Sequence, residues 1–522
     1  MTSDIRIGID VGGTNTDAVA VRGTEVVASV KRPTTAAVAD GIIDALNALL
    51  AMASFGPGEV SAVMVGTTQF VNAVVQAKGL ARTGVVRLGL PATAAIPPLA
   101  DWPARLRAAL GDHVFLCAGG HEYDGSEIAP LDRGRLHEVA DTLAARRIAS
   151  VAITSVFSPI NADFELEAAA IIGSQLPQVP LTLSSDLGRI GLLERENATA
   201  MNACLRVLAE GTVRAFEDAL SVVGISGQLF VSQNDGTLMN ASYARRFPVS
   251  TFASGPTNSM RGAAFLSGLR DAAVVDVGGT TSDVGVLNRG FPRQAALAAE
   301  IGGVRTNFRM PDVLSLGIGG GSIVRQDGPA TTVGPDSVGY ELRARALVFG
   351  GDITTATDLA VAAGRAEIGA PHLVARLDRS SVAGGLSYIE REVAEAIDRM
   401  KLSPDPVPVV VVGGGGALIS TGLPGAARVI RPENGAVANA IGAALAQVGG
   451  EVDRIVHTGD GGRKRAVDDV VQEAFSRAVE AGAIPESVAV VEIDEVPISY
   501  LPGNALRVRA KVVGDLRVGA RT

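Results

Sequence analysis

One eight-residue pattern is written twice in the chain: Asp10 to Asp17 reads DVGGTNTD, and Asp276 to Asp283 reads DVGGTTSD. A repeat of this kind means that one structural device is built twice, in two separate parts of the molecule. An apolar, β-leaning run precedes each copy, with Ile5, Ile7, Ile9 and Val11 in the first and Val274, Val275 and Val277 in the second, so the glycines are entered from a strand. The residues after each copy are also β-rich, Ala18-Val19-Ala20-Val21 in one and Val284-Gly285-Val286-Leu287 in the other. That lacks the helical opening of a dinucleotide fingerprint or a P-loop. Two strand-turn-strand hairpins are predicted.

In such a turn the paired glycines can take positive φ and bring backbone N–H groups close to an anion. Gly12 and Gly13 serve this end in the first copy, with Thr14, Asn15 and Thr16 adding hydroxyl and amide donors. Gly278 and Gly279 do so in the second, with Thr280, Thr281 and Ser282. The expectation is a phosphate clamp. The acidic pairs, Asp10 with Asp17 and Asp276 with Asp283, would repel a bare polyphosphate and make sense with a hard cation such as Mg²⁺ between them. The plain alternative, two glycine-rich hairpins that only turn the chain, leaves the repeated carboxylates without a reason.

Two phosphate hairpins from two halves of a chain resemble the pattern of the actin, sugar kinase and heat-shock chaperone superfamily, which closes two related α/β domains on ATP. Val409-Val410-Val411-Val412 followed by Gly413, Gly414, Gly415 and Gly416 resembles the adenosine motif of that superfamily, which places these glycines at the nucleoside.

Composition agrees with a large folded enzyme. The 522 residues allow two or three domains, and 47% hydrophobic content with only 4% aromatic predicts an aliphatic, alanine-rich core. A net charge of -9 with no basic stripe argues against a nucleic-acid partner. Two cysteines, Cys117 and Cys204, make no disulfide framework, and no apolar run reaches membrane-spanning length. The chain reads as soluble and cytoplasmic.

Further segments narrow the resemblance. Thr67 and Thr68 follow the short strand Val63-Met64-Val65 in a polar turn before a helix. Hydantoinase A and oxoprolinase proteins are similar here but carry a histidine where this chain has Val65. Glu194-Arg195-Glu196-Asn197, in a long helix predicted from about Leu192, also resembles that family. So do Gln233-Asn234-Asp235-Gly236, Ser254-Gly255-Pro256-Thr257-Asn258, and the Gly319-Gly320-Gly321-Ser322 loop. The stretch Tyr340 to Arg345 departs from the proline- and cysteine-containing segment of long members, pointing to the short branch. His121, in Gly119 to Gly125, is a metal candidate, although a solvated turn accounts for that stretch better because no second histidine is near. A helix is expected from Gly435 to Val448, with Gly449-Gly450 breaking the chain after it.

The resemblance to hydantoinase A and oxoprolinase, in its short form, covers essentially the whole chain. It implies an α/β fold of two related actin-like, ribonuclease H-like ATPase domains with a cleft between them, plus a small C-terminal α+β appendix. The expected division is 1–190, 191–450 and 451–522. The implied activity is that of an ATP-dependent hydantoinase- or oxoprolinase-type hydrolase that phosphorylates an amide or imide oxygen of a hydantoin, lactam or related ring. Hydrolysis then follows, with a hydantoinase B-like or other metal-dependent partner subunit; self-association is left open. Asp10 and Asp276 are assigned to Mg²⁺ or the attacking oxygen, with Asp17 and Asp283 as second choices. The ring is placed near Thr67, Thr68 and Gly319 to Ser322. A small-molecule kinase and an ATP-driven reactivating chaperone are the alternatives.

Overall fold

Ile5, Ile7, Ile9 and Val11 share one face of Ile5–Val11 and the small Gly8 keeps the other close to its cover, so this strand and its neighbour Val60–Thr67 are almost wholly buried, as strands are when helices cover both sides of a sheet. The computed structural model describes residues 5–12, 15–35, 38–187, 190–295, 299–308, 310–327, 330–457, 462–498 and 505–517. Among them Ile5–Val11 and Asn15–Arg22 form the first hairpin, and Ala272–Val277 and Ser282–Asn288 the second. Each hairpin's first strand is flanked by a parallel strand, Val60–Thr67 in one case and Val407–Val412 in the other.

The first hairpin lies in a nine-stranded sheet whose order is Ala489–Pro497, Ala505–Gly514, Val448–His457, Leu238–Asn240, Gln228–Ser232, Val60–Thr67, Ile5–Val11, Asn15–Arg22, Glu25–Pro33. The second lies in a six-stranded sheet. A third, four-stranded parallel sheet (His113–Ala118, Thr83–Leu90, Ser150–Ser155, Leu181–Leu183) stands on the 32-residue helix Leu192–Val223.

The C-terminal α+β segment therefore extends the first sheet, and the divisions expected near 190 and 450 both fall within the span of chain that builds it. Burial explains the attachment: Val508, Ala510 and Val512 join the same core as Ile7 and Val63. The buried Lys511 ammonium also pairs with Asp235 at 2.8 Å. The helix expected from 435 to 448 is shorter, Ala438–Leu445. Gly449 and Gly450 do not break the chain but lie inside the strand Val448–His457, where a Cβ on Gly450 would meet the Ala474 carbonyl oxygen at 2.3 Å. Gly450 thus serves close packing of a helix on the strand, and Gly449 the close approach of the Thr237 side chain.

Two helices join the halves. Ser254–Ser267 packs on the second sheet, Ala438–Leu445 packs on the first, and they cross each other. Glycine permits the crossing: a Cβ on Gly262 would lie 1.9 Å from the Ala438 carbonyl oxygen, and one on Gly442 1.9 Å from that of Asn258. No helix among the described residues is long and apolar enough to cross a membrane.

Candidate active site

The two hairpins match in register and in turn. Asp10 faces Asp17 and Val11 faces Thr16, just as Asp276 faces Asp283 and Val277 faces Ser282. The Gly12 N–H donates to the Asn15 carbonyl at 3.0 Å, and the Gly278 N–H donates to the Thr281 carbonyl at 2.8 Å. Side chains alternate along a strand, so the residue beside each outer carboxylate, Thr16 next to Asp17 and Ser282 next to Asp283, points away from the inner pair, Asp10 and Asp276. Thr16 and Ser282 are accordingly buried. The Ser282 hydroxyl donates to the Ile318 carbonyl at 2.6 Å, and the Thr16 hydroxyl lies 3.5 Å from that of Thr34. Both hydroxyls are taken up by contacts within the fold. Thr280 and Thr281 are exposed at the second turn and Asn15 is half-buried at the first. Gly13 and Thr14 lie outside the described residues.

The inner carboxylates are the least comfortable groups of the site. Burial pushes Asp10 up to about 7, the charges of Asp17 and Asp276 add to the rise, and the Asn439 amide, donating to Oδ2 at 2.8 Å, opposes it. Asp276 is pushed up to about 6, again by burial first, against the Ser259 hydroxyl that donates to its Oδ2 at 2.5 Å; Asp283 raises it further. Because Asp276 acts on Asp10, and Asp17 and Lys31 act on Asp276, the two hairpins share one electrostatic neighbourhood. The outer carboxylates have partners: Lys31 sits 2.6 Å from Asp17, and the Ser315 hydroxyl donates to Asp283 at 2.5 Å.

Dehydrated carboxylates with little compensating positive charge fit a hard cation that arrives with its own ligands. Among the described residues no three or more His, Cys, Asp or Glu side chains gather into a cage. Mg²⁺ is commonly held by one or two carboxylates together with phosphate oxygens and water. Asp10 and Asp276 are the residues that would hold it.

The Gly413–Gly416 loop lies against the second hairpin. Its Gly415 N–H donates to the Val277 carbonyl at 2.8 Å, and Gly413 has φ of +84°. A Cβ on Gly413 would fall 2.3 Å from Asp276 Oδ1, so both its conformation and its closeness require glycine. Gly414 is exposed and opens on free space.

Gly319, Gly320, Gly321 and Ser322 also reach the second hairpin, by backbone. The Gly320 N–H donates to the Gly278 carbonyl at 3.0 Å and the Gly321 N–H to that of Gly279 at 2.7 Å. Ser322 is fully buried and its hydroxyl accepts from the Gly319 N–H at 2.8 Å. Its side chain therefore shapes the loop that backs the second hairpin's turn. Thr67 is buried too, with its N–H donating to the Ser254 hydroxyl at 3.3 Å, whereas Thr68 is half-buried at the start of the Gln69–Gln76 helix. Val65 is buried in the first core.

Three site residues escape the sequence reading: Lys31, Ser259 and Asn439. Asn439 had a signal, being the lone polar residue among Ala438, Ala440 and Ile441 in a helix read only for close packing.

Other motifs prove structural. Arg87 and Glu196 form a fully buried ion pair, Arg87 Nε lying 2.8 Å from Glu196 Oε1, and Trp102 Nε1 donates to Asn197 at 2.7 Å. The charges of this segment thus knit the four-stranded sheet to the long helix instead of lining a solvated face. Asn234 accepts from the Ala253 N–H at 2.8 Å and holds the approach to the Ser254 helix. His121 is buried against Phe164, ring centroids 4.3 Å apart, with no acidic or thiol cluster beside it among the described residues. A polar cavity of about 160 Å³, lined by Asn234, Asp235, Gly450 and Arg454 among others, contains no hairpin residue.

Residues 6–176 match the model of the hydantoinase/oxoprolinase N-terminal region, and residues 195–369 match that of hydantoinase/oxoprolinase. The caprolactamase subunit alpha of Pseudomonas jessenii is 26% identical over 79% of this chain. The chain spans 65% of that relative's own length. The solved structure of ATP-dependent caprolactamase from Pseudomonas jessenii is similar with a TM-score of 0.79 and 20% identity, over 98% of this chain and 88% of that one. Nucleotide-free acetone carboxylase is similar with a TM-score of 0.68 and 17% identity, over 99% of this chain and 88% of that one. The fold is thus the expected α/β one, with its matched hairpins in two sheets as in actin-like ATPases.

Proposed function

The chain belongs to the hydantoinase/oxoprolinase family, and from that membership we propose that it is an ATP-dependent subunit that activates a cyclic amide for hydrolysis. The observation that carries the reading is the pair of matched hairpins, each presenting a buried, raised-pKa carboxylate to one shared electrostatic neighbourhood. ATP is the ligand that such a pair suits. Its phosphates meet the turns at Gly12 and at Gly278 to Thr281, and its nucleoside the open side of Gly414. A magnesium ion bound with it would draw charge from the γ-phosphate. Asp10 and Asp276 would hold the cation and orient the oxygen that attacks.

An amide resists water because resonance ties up its carbonyl. Transfer of the γ-phosphoryl group to the amide oxygen, with ADP leaving, converts it into an imidate-like phosphate whose carbon is open to water; the adduct expels the protonated ring nitrogen to leave an acyl phosphate, which a second water attacks at carbon to give the carboxylate and inorganic phosphate. The relatives' names support the coupling of ATP to a lactam and the need for a second subunit. In this proposal the ring is a hydantoin, lactam or imide, and a hydantoinase B-like or other metal-dependent partner delivers water. Cys117 and Cys204 offer no nucleophile, since burial pushes both thiols up, Cys117 to about 11.

The test is ATP turnover against a panel of hydantoins, lactams and cyclic imides, with and without candidate partners. We expect one ring class to stimulate turnover, and Asp10→Asn or Asp276→Asn each to lower it by about a hundredfold or more. Stimulation that survives both substitutions contradicts the assignment, and a stable phosphate ester as product would identify a kinase instead.

A further inference from the structure

Asn258 is wholly buried, yet neither its Nδ2 nor its Oδ1 has a hydrogen-bond partner among the described residues. A buried amide left unmade costs free energy that an apolar residue of the same shape would not. Its place is fixed from behind, where Gly442 of the crossing helix lies against the Asn258 carbonyl. In front stands Gly66. A Cβ on Gly66 would lie 2.6 Å from Asn258 Nδ2 and 2.7 Å from Asp10 Oδ1, so amide and carboxylate flank the same small space.

The helix that carries Asn258 already serves the other carboxylate. Ser259, the next residue, donates to Asp276, and Ser254 hydrogen-bonds both the N–H and the carbonyl of Thr67. Asn439 of the crossing helix holds Asp10 by Oδ2. Asn258 faces the Oδ1 side of the same carboxylate.

We propose that Asn258 is a positioning residue for Asp10, its amide held in reserve beside Oδ1 and engaged when the carboxylate takes up a divalent cation with nucleotide. This rests on the nucleotide-binding reading above. Donation from Asn258 to Oδ1 and from Asn439 to Oδ2 fixes the carboxylate plane from both sides and leaves its remaining lone pairs to the cation. The unmade bond is then made only in the loaded state, so its formation adds to binding.

The experiment is Mn²⁺ binding in the presence of ATP, monitored by electron paramagnetic resonance on the full chain, beside thermal unfolding without ligand. Asn258→Leu, close in shape and without polar atoms, is expected to melt at the same or a higher temperature while binding Mn²⁺ with ATP about tenfold more weakly. Should Asn258→Leu fail to fold, Asn258→Ala carries the same expectation for binding. A folded variant with affinity within about twofold of wild type overturns the proposal. Wild-type chain that binds no Mn²⁺ with ATP overturns the nucleotide reading and this inference together, whereas normal wild-type binding with unchanged variants overturns this inference alone.

Discussion

Asp10 shows how much one residue can reveal about a site. A carboxyl normally titrates near 4, but burial holds this one at about 7. The folded, ligand-free chain therefore keeps a proton at Asp10 that the unfolded chain releases, and stability falls as pH rises between those two values. The sign follows from the raised pKa: the contribution is fully present below about pH 4 and lost as pH passes about 7. Asp10→Asn removes that slope. Unfolding measured from about pH 5 to about pH 8 should show wild type losing a few kcal/mol more than the variant over this range. Equal slopes would mean that Asp10 is solvated in the folded chain. The sequence named Asp10 because it recurs as Asp276, but nothing local announces Asn439, which is 429 residues away. Thr16 and Ser282 show the converse: a repeat marks them as matched, while strand alternation decides which way they point.

Among the elements, the glycine loop after Val407–Val412 is the most exposed to a single change. Gly413 combines a positive φ with contact against Asp276, so Gly413→Ala forces either the backbone or the carboxylate to move. We expect calorimetry to show ATP bound at least about tenfold more weakly, with stability lowered by about 1–3 kcal/mol. Loss of stability with full affinity would detach this loop from the nucleotide. The hairpins were legible because strand, turn and carboxylate lie within a few neighbouring residues. The Gly319–Ser322 loop was legible only as something special. Whether a glycine triplet meets substrate or backs a turn depends on contacts with Gly278 and Gly279, some forty positions earlier, and those are matters of tertiary structure.

At the scale of the whole molecule, two half-sites face each other and two glycine-pinned helices cross between them. The C-terminal strands complete the first sheet, a pairing over hundreds of residues that no local pattern encodes. On the function proposed above, a ligand that touches both hairpins would favour the arrangement in which they approach, and by closing out water it would turn ATP cleavage toward a substrate oxygen. The central claim is that this oxygen belongs to an amide, and isotope transfer tests it most directly. A cyclic amide that stimulates turnover is labelled with oxygen-18 at its carbonyl and incubated with the chain, its partner and ATP. The inorganic phosphate released is then weighed by mass spectrometry. Phosphorylation of the amide predicts label in that phosphate, one atom for each ring opened; ring opening with unlabelled phosphate would contradict it.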